Sequence, residues 1–154
     1  MKKNISIIGC GAIGSELALS VDRMMIENVT ISSLLDIKLE NAEILKSKLV
    51  HNNPIVFNDF SEYIKSDNLK DVDIVVEAAS QNALTSYLNS IIQLKKDVLD
   101  MSVGAFANSE FFSQVIKNVE KNDINLYLPS GAIAGIDAIK SVRSSISYVT
   151  LTTT

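Results

Sequence analysis

Residues Ile5 to Gly14 read I-S-I-I-G-C-G-A-I-G. An apolar strand runs directly into G-x-G-x-x-G, carried by Gly9, Gly11 and Gly14. Each glycine has a mechanical reason: a tight turn at Gly9, close backbone approach to a pyrophosphate at Gly11, and close helix-on-strand packing at Gly14. Ala12 and Ile13 complete the loop and open a helix whose free N–H groups suit phosphate oxygens. The pattern alone is weak evidence, because glycines recur in turns. Its context strengthens it: a strand before, an amphipathic helix after, and an acid at the end of the next strand.

That acid is Asp36, which follows the β-branched and aliphatic run Asn28–Leu35. It stands 22 positions beyond Gly14, where a carboxylate can accept hydrogen bonds from the adenosine ribose hydroxyls. A 2′-phosphate would be repelled there, and no Arg follows immediately, although Lys38 is near. NAD is therefore favoured over NADP as the cofactor. The alternative for Asp36 is a helix N-cap ahead of Leu39–Leu49, and one residue can serve both roles.

From this pair of signals the rest of the chain reads as β–α alternation. Strands are predicted at Lys3–Ile8, Val29–Leu35, Ile55–Phe57, Asp71–Glu77, Asp97–Met101 and Ile124–Leu128. Helices are predicted at Ala12–Met25, Lys38–Leu49, Gln81–Leu94, Asn108–Lys121 and Gly135–Arg143, with Phe60–Leu69 a short helix or loop. The first helix places Ile13, Leu17, Val21 and Met24 at helical spacing. Such alternation implies an α/β, Rossmann-type doubly wound fold with a mostly parallel sheet and helices on both faces. Ligands in such folds bind outside the carboxyl ends of the strands. Four of those ends carry small residues: Gly9–Gly11, Ala78–Ser80, Ser102–Ala105 and Pro129–Ala132. Caps at Ser80 and Asn108 explain part of this, and a cofactor cleft explains all four together.

The tail Ser145–Thr154 has strong β propensity and stops without a turn. A strand ending this way is an exposed edge, which proteins usually blunt. The expected organisation is a dinucleotide-binding domain over 1–143, with 144–154 as the first strand of a second domain.

Composition narrows the remaining classes. The 154 residues suffice for one substantial core, and 47% hydrophobic with 21% charged residues is ordinary for a globular protein. A net charge of −4 argues against a nucleic-acid surface. The single Cys10 allows no internal disulfide, as in a reducing cytoplasm. No apolar stretch approaches the ~20 residues of a membrane helix. One Cys and one His leave no ordinary zinc site.

Five blocks beyond the glycine loop, with it, resemble archaeal-type L-aspartate dehydrogenase: L-L-D (Leu34–Asp36), E-A-A-S-Q (Glu77–Gln81), S-V-G-A-F-A (Ser102–Ala107), P-S-G-A-I-A-G-I-D-A-I-K (Pro129–Lys140) and V-T-L-T-T (Val149–Thr153). Homoserine dehydrogenases are a more distant likeness. The resemblance implies oxidative deamination of L-aspartate to iminoaspartate with hydride transfer to NAD or NADP, feeding NAD biosynthesis. It implies a following α/β substrate domain that carries a catalytic His and most of a homodimer contact. It places Ala78, Ala79, Ser80 and Gln81 along the cofactor, Ser102 and Gly104 near its nicotinamide half, and Ala132 at a cofactor contact. Gln81 has the bland alternative of an ordinary first-turn helix residue, and Ala132 that of a small residue allowing close helix approach. Glu77 looks structural in this pattern. His51 matches no catalytic position, so no catalytic residue is assigned within the chain, and turnover is expected to need the second domain. A self-standing dinucleotide-binding module and a homoserine dehydrogenase-like fragment are the alternatives.

Overall fold

The apolar, β-branched runs become the strands of one sheet because a strand buried on both faces needs no polar side. The computed structural model describes residues 2–129, 136–150 and 152. Its strands are β1 (Lys3–Ile8), β2 (Val29–Leu35), β3 (Ile55–Phe57), β4 (Ile74–Glu77), β5 (Asp97–Asp100) and β6 (Leu126–Tyr127). They form a six-stranded sheet in the order β3-β2-β1-β4-β5-β6, and every pairing is parallel. The predicted Rossmann-type fold is the one observed.

The helices are α1 (Ala12–Asp22), α2 (Leu39–Lys48), α3 (Phe60–Lys65), α4 (Gln81–Gln93), α5 (Ser109–Asn122) and α6 (Ile136–Ser141). Side-chain alternation divides the core between the two faces. Ile5, Ile7, Ile31, Leu34 and Val76 pack with Ala18, Val21, Ala42 and Leu45 of α1 and α2. Ile8, Leu35, Val75 and Val98 pack with Tyr63 of α3, with Leu84, Leu88, Ile91 and Ile92 of α4, and with Val115 of α5. The four α4 side chains are fully buried and contribute about 1.5–3 kcal/mol each. The crossovers change face between β3 and β4, so the strand order reverses at the β1–β4 seam. The cleft outside that seam is where the fold receives a ligand.

Several predicted boundaries move, each for a local reason. The first helix stops at Asp22 rather than Met25, because Met24 takes a left-handed φ of 58°. Phe60–Leu69 divides into α3 and a 3-10 turn over Asp67–Asp71, which consumes the start of the predicted fourth strand. Asp73 then leaves the ladder to accept hydrogen bonds from Asn4 N–H and Lys3 Nζ. Strand six keeps only Leu126–Tyr127, and the predicted helix over Gly135–Arg143 keeps Ile136–Ser141 with a 3-10 turn at Arg143–Ser145. Residues 146–150 lie in no ladder. The β-rich pattern there has no neighbouring strand among the described residues to pair with.

Candidate functional site

The glycine loop leaves β1 with Gly9 N–H donating to Leu35 O at 2.7 Å, which ties it to β2. Gly9 has φ 95°, and a Cβ on it would meet the Ala79 backbone at 2.6 Å. A Cβ on Gly14 would run into Gly9 O. Gly11 is the opposite case, since a Cβ there meets nothing within 4 Å. The chain thus leaves space open above Gly11, at the N-terminus of α1, where no side chain caps the helix. The first-turn amides of Ala12, Ile13 and Gly14 have no intrahelical partner. Ile13 is 54% exposed beside them. This is a cradle that fits a pyrophosphate.

Asp36 closes the adjoining side. Its Oδ2 accepts from Cys10 N–H at 2.8 Å, and its Oδ1 accepts from Lys38 N–H at 2.9 Å and Asn41 Nδ2 at 3.3 Å. The residue in the N-cap position of α2 is Lys38, so the capping reading of Asp36 holds only as a reach across two residues. Three donors fix the carboxylate and leave about one of its roughly four acceptor sites, on Oδ2, free for a further donor. Gly9, Gly11, Asp36, Ala78, Ala79 and Ser80 line a single cavity of about 280 Å³. Ile37, Lys38, Asn41, Ala83 and Tyr87 line it too, and except for Lys38 sequence reasoning did not single them out. The available signal was Ser80, Ala83 and Tyr87, spaced to share one face of α4. Tyr87 is held by stacking on Phe60, with centroids 4.0 Å apart and planes at 9°.

The second rim follows β4 and β5. Ser80 caps α4 by accepting from Ala83 N–H at 3.1 Å, and Asn108 caps α5 by accepting from Glu110 and Phe111 N–H. Gln81 lies against Gly104, whose missing Cβ makes room for the Gln81 amide. Ser102 N–H donates to Asp100 Oδ1 at 2.7 Å. Gln81 and Gly104 adjoin here, and Gln81, Ser102 and Gly104 are all absent from the lining of the Asp36 cavity. Ala132 lies outside the described residues.

The single cysteine and the single histidine lie in contrasting surroundings. The Cys10 thiol is pushed up to about 12, by burial first and by the Asp36 charge second. Desolvation therefore keeps the thiol protonated although it stands beside a helix N-terminus, and Cys10 packs in the core. His51 is exposed just ahead of β3, at the amino ends of the strands and opposite the cleft. Among the described residues there is no His/Cys/Asp/Glu cluster that could hold a metal ion. No described helix is long and apolar enough to cross a membrane.

With this geometry in place, the chain can be set beside known proteins. Residues 9–129 match the family model described as homoserine dehydrogenase, NAD binding domain. The L-aspartate dehydrogenase of Nitrosopumilus maritimus is 38% identical over 154 residues, which cover 99% of this chain and 54% of that protein. The crystal structure of aspartate dehydrogenase from Thermotoga maritima superposes with a TM-score of 0.65 at 25% identity, covering 94% of this chain and 52% of that one. The WlbA dehydrogenase of Bordetella pertussis, solved with NADH and UDP-GlcNAcA, shares the fold at a TM-score of 0.74 and 14% identity, covering 94% of this chain and 42% of that one. The chain spans about half the length of the curated relatives it matches.

Proposed function

We propose, from the premise that this chain belongs to the homoserine dehydrogenase NAD-binding domain family, that it is the cofactor domain of an L-aspartate dehydrogenase-like oxidoreductase. The observation that carries the substrate class is the 38% identity to an L-aspartate dehydrogenase along essentially the whole chain. The reaction is oxidative deamination: L-aspartate loses a hydride to the nicotinamide ring and a proton to solvent, and iminoaspartate forms. The bound dinucleotide supplies the hydride acceptor. The protein residues bind it, orient it and keep water from the reacting face.

The amides of Ala12, Ile13 and Gly14 receive the pyrophosphate over the open space at Gly11, and Gly9 sets the turn that aims them. Asp36 receives the adenosine ribose hydroxyls. A 2′-phosphate placed there meets a fixed negative charge, so NAD is preferred. Lys38 lines the same cavity and softens the discrimination against NADP. Ala78, Ala79, Ser80 and Gln81 border the middle of the cofactor, Ser102 and Gly104 flank its nicotinamide half, and the family resemblance adds Ala132 as a cofactor contact. Residues 144–154 begin a substrate and dimerisation domain, and the complete enzyme works as a cytoplasmic homodimer feeding NAD biosynthesis.

Direct titration tests the reading. NADH fluorescence is expected to saturate with the 154-residue chain, with NADPH binding more weakly. Absence of saturation with either dinucleotide at millimolar concentration would sink it.

A further inference from the structure

Glu77 and Asp100 are register partners at the carboxyl ends of β4 and β5, and both are fully buried. Val75 and Val98, two residues before them, belong to the α4–α5 core, so both carboxylates point to that face. Each gives one oxygen to its own rim. Glu77 Oε1 accepts from Ala79 N–H at 2.8 Å and Ser80 N–H at 3.0 Å. Asp100 Oδ1 accepts from Ser102 N–H. The other two oxygens, Glu77 Oε2 and Asp100 Oδ2, are buried with no donor among the described residues. Leu84, Ala105 and Val115 line the core on this face, and Lys95, Lys117 and Lys121 of the neighbouring elements are exposed. Neither carboxylate has an ion-pair partner among the described residues. Two such anions side by side are strongly disfavoured, and one proton between them satisfies both orphaned oxygens.

We propose that Glu77 and Asp100 hold one proton between them, and that this clasp positions the Ala78–Ser80 turn along the middle of the dinucleotide and the Met101–Gly104 turn beside its nicotinamide half. Both are positioning residues, and their link to the cofactor rests on the dinucleotide reading above. Burial first, and the Glu77 charge second, push the Asp100 carboxyl up to about 7, against the pull of the Ser102 N–H. A folded-state value above the unfolded one means that the folded chain binds the extra proton. The contribution is present below the unfolded value near 4 and is lost as pH rises towards 7.

The test is a pair of pH profiles of the 154-residue chain from pH 5.5 to 8.5: urea midpoint, and NADH dissociation constant. The wild type is expected to lose midpoint as pH rises, and its NADH affinity to weaken about three- to tenfold. Asp100→Asn keeps an acceptor for Ser102 N–H and donates permanently to Glu77, so both of its profiles flatten. Glu77→Gln serves if the first variant does not fold. Carboxyl 13C shifts of the wild type report the shared proton without any variant. A wild-type midpoint that does not fall, or an Asp100→Asn slope equal to wild type, overturns the clasp. A falling midpoint with a flat NADH profile overturns the positioning role. Failure to bind NADH at any pH overturns the dinucleotide reading and the positioning role together, while the midpoint slope still reports the shared proton.

Discussion

Gly11 and Gly14 stand three residues apart and lack a Cβ for opposite reasons. At Gly14 the protein occupies the space, and at Gly11 nothing does. Gly11→Val should therefore leave the urea midpoint within about 0.5 kcal/mol of wild type and abolish NADH binding. Gly14→Ala should destabilise the fold by about 1–3 kcal/mol through overpacking. Equal stability losses in the two variants would contradict this division. The glycine spacing and its two reasons, ligand approach at Gly11 and close packing at Gly14, were legible in the sequence; that the Gly9 carbonyl is what crowds Gly14 was not, because local pattern does not show what a turn folds back against. Asp36 was legible as well. Its hydrogen bond from Cys10 N–H, 26 residues away, was not, and it adds a structural duty to the expected binding one. Asp36→Ala should weaken NADH binding by about 1–3 kcal/mol, with NADPH weakened less or strengthened. Asp36→Asn keeps an acceptor for the Cys10 amide and removes the charge, so it should shift the NADH-to-NADPH ratio with a smaller loss of stability. Identical losses for both cofactors in both variants would remove Asp36 from the ribose site.

Between elements, the strongest tie that sequence reasoning missed is Asp22. At the last position of α1 it is 3% exposed. Its carboxylate accepts from Val50 N–H, His51 N–H, Asn52 N–H and Asn52 Nδ2 at 2.8–3.0 Å. It thereby orders the loop that enters β3, and Asn52 Oδ1 in turn accepts from Ile31 N–H of β2. Local periodicity carries no trace of a bond spanning 28–30 residues, so the first helix could be drawn from its apolar spacing while its end could not. Burial alone would raise the Asp22 carboxyl, but the Val50, Asn52 and His51 hydrogen bonds outweigh it and hold the group below the ordinary range. A depressed folded value stabilises the protein above the unfolded value near 3.9, and the gain is lost as pH falls through the folded value. Asp22→Ala leaves several buried amides without an acceptor and should cost about 2–4 kcal/mol by chemical denaturation. It should also reduce the loss of stability on acidification. A variant within 0.5 kcal/mol of wild type would show that water replaces the carboxylate.

At the scale of the whole molecule, the β–α alternation made the doubly wound parallel fold legible, whereas the strand order was not read from the sequence, because local periodicity does not say which strands become neighbours. The placement of the cleft followed from the fold, since a sheet wound both ways has one seam where crossovers change face. That seam divides β3-β2-β1, with the glycine loop and Asp36, from β4-β5-β6, with the Ala78–Ser80 and Met101–Gly104 turns. A dinucleotide lying across it contacts both halves and binds only when they are assembled. At a hundredfold excess over its dissociation constant, NADH should stabilise the chain by about 2.7 kcal/mol and raise its melting temperature by about 5–10 °C. L-Aspartate should do neither by itself, and the chain should reduce no NAD+ when given it. The reason is spatial: His51 lies at the opposite end of the sheet, the Cys10 thiol stays protonated, and Glu77 and Asp100 are buried beneath the rim. Calorimetry with each ligand and an assay for NADH formation check both halves of this prediction. Measurable aspartate-dependent reduction by these 154 residues would place a base in the segment around Ala132 and refute the need for a second domain. A rise in melting temperature with NADH and no turnover would fit a cofactor domain whose chemistry is completed by further chain.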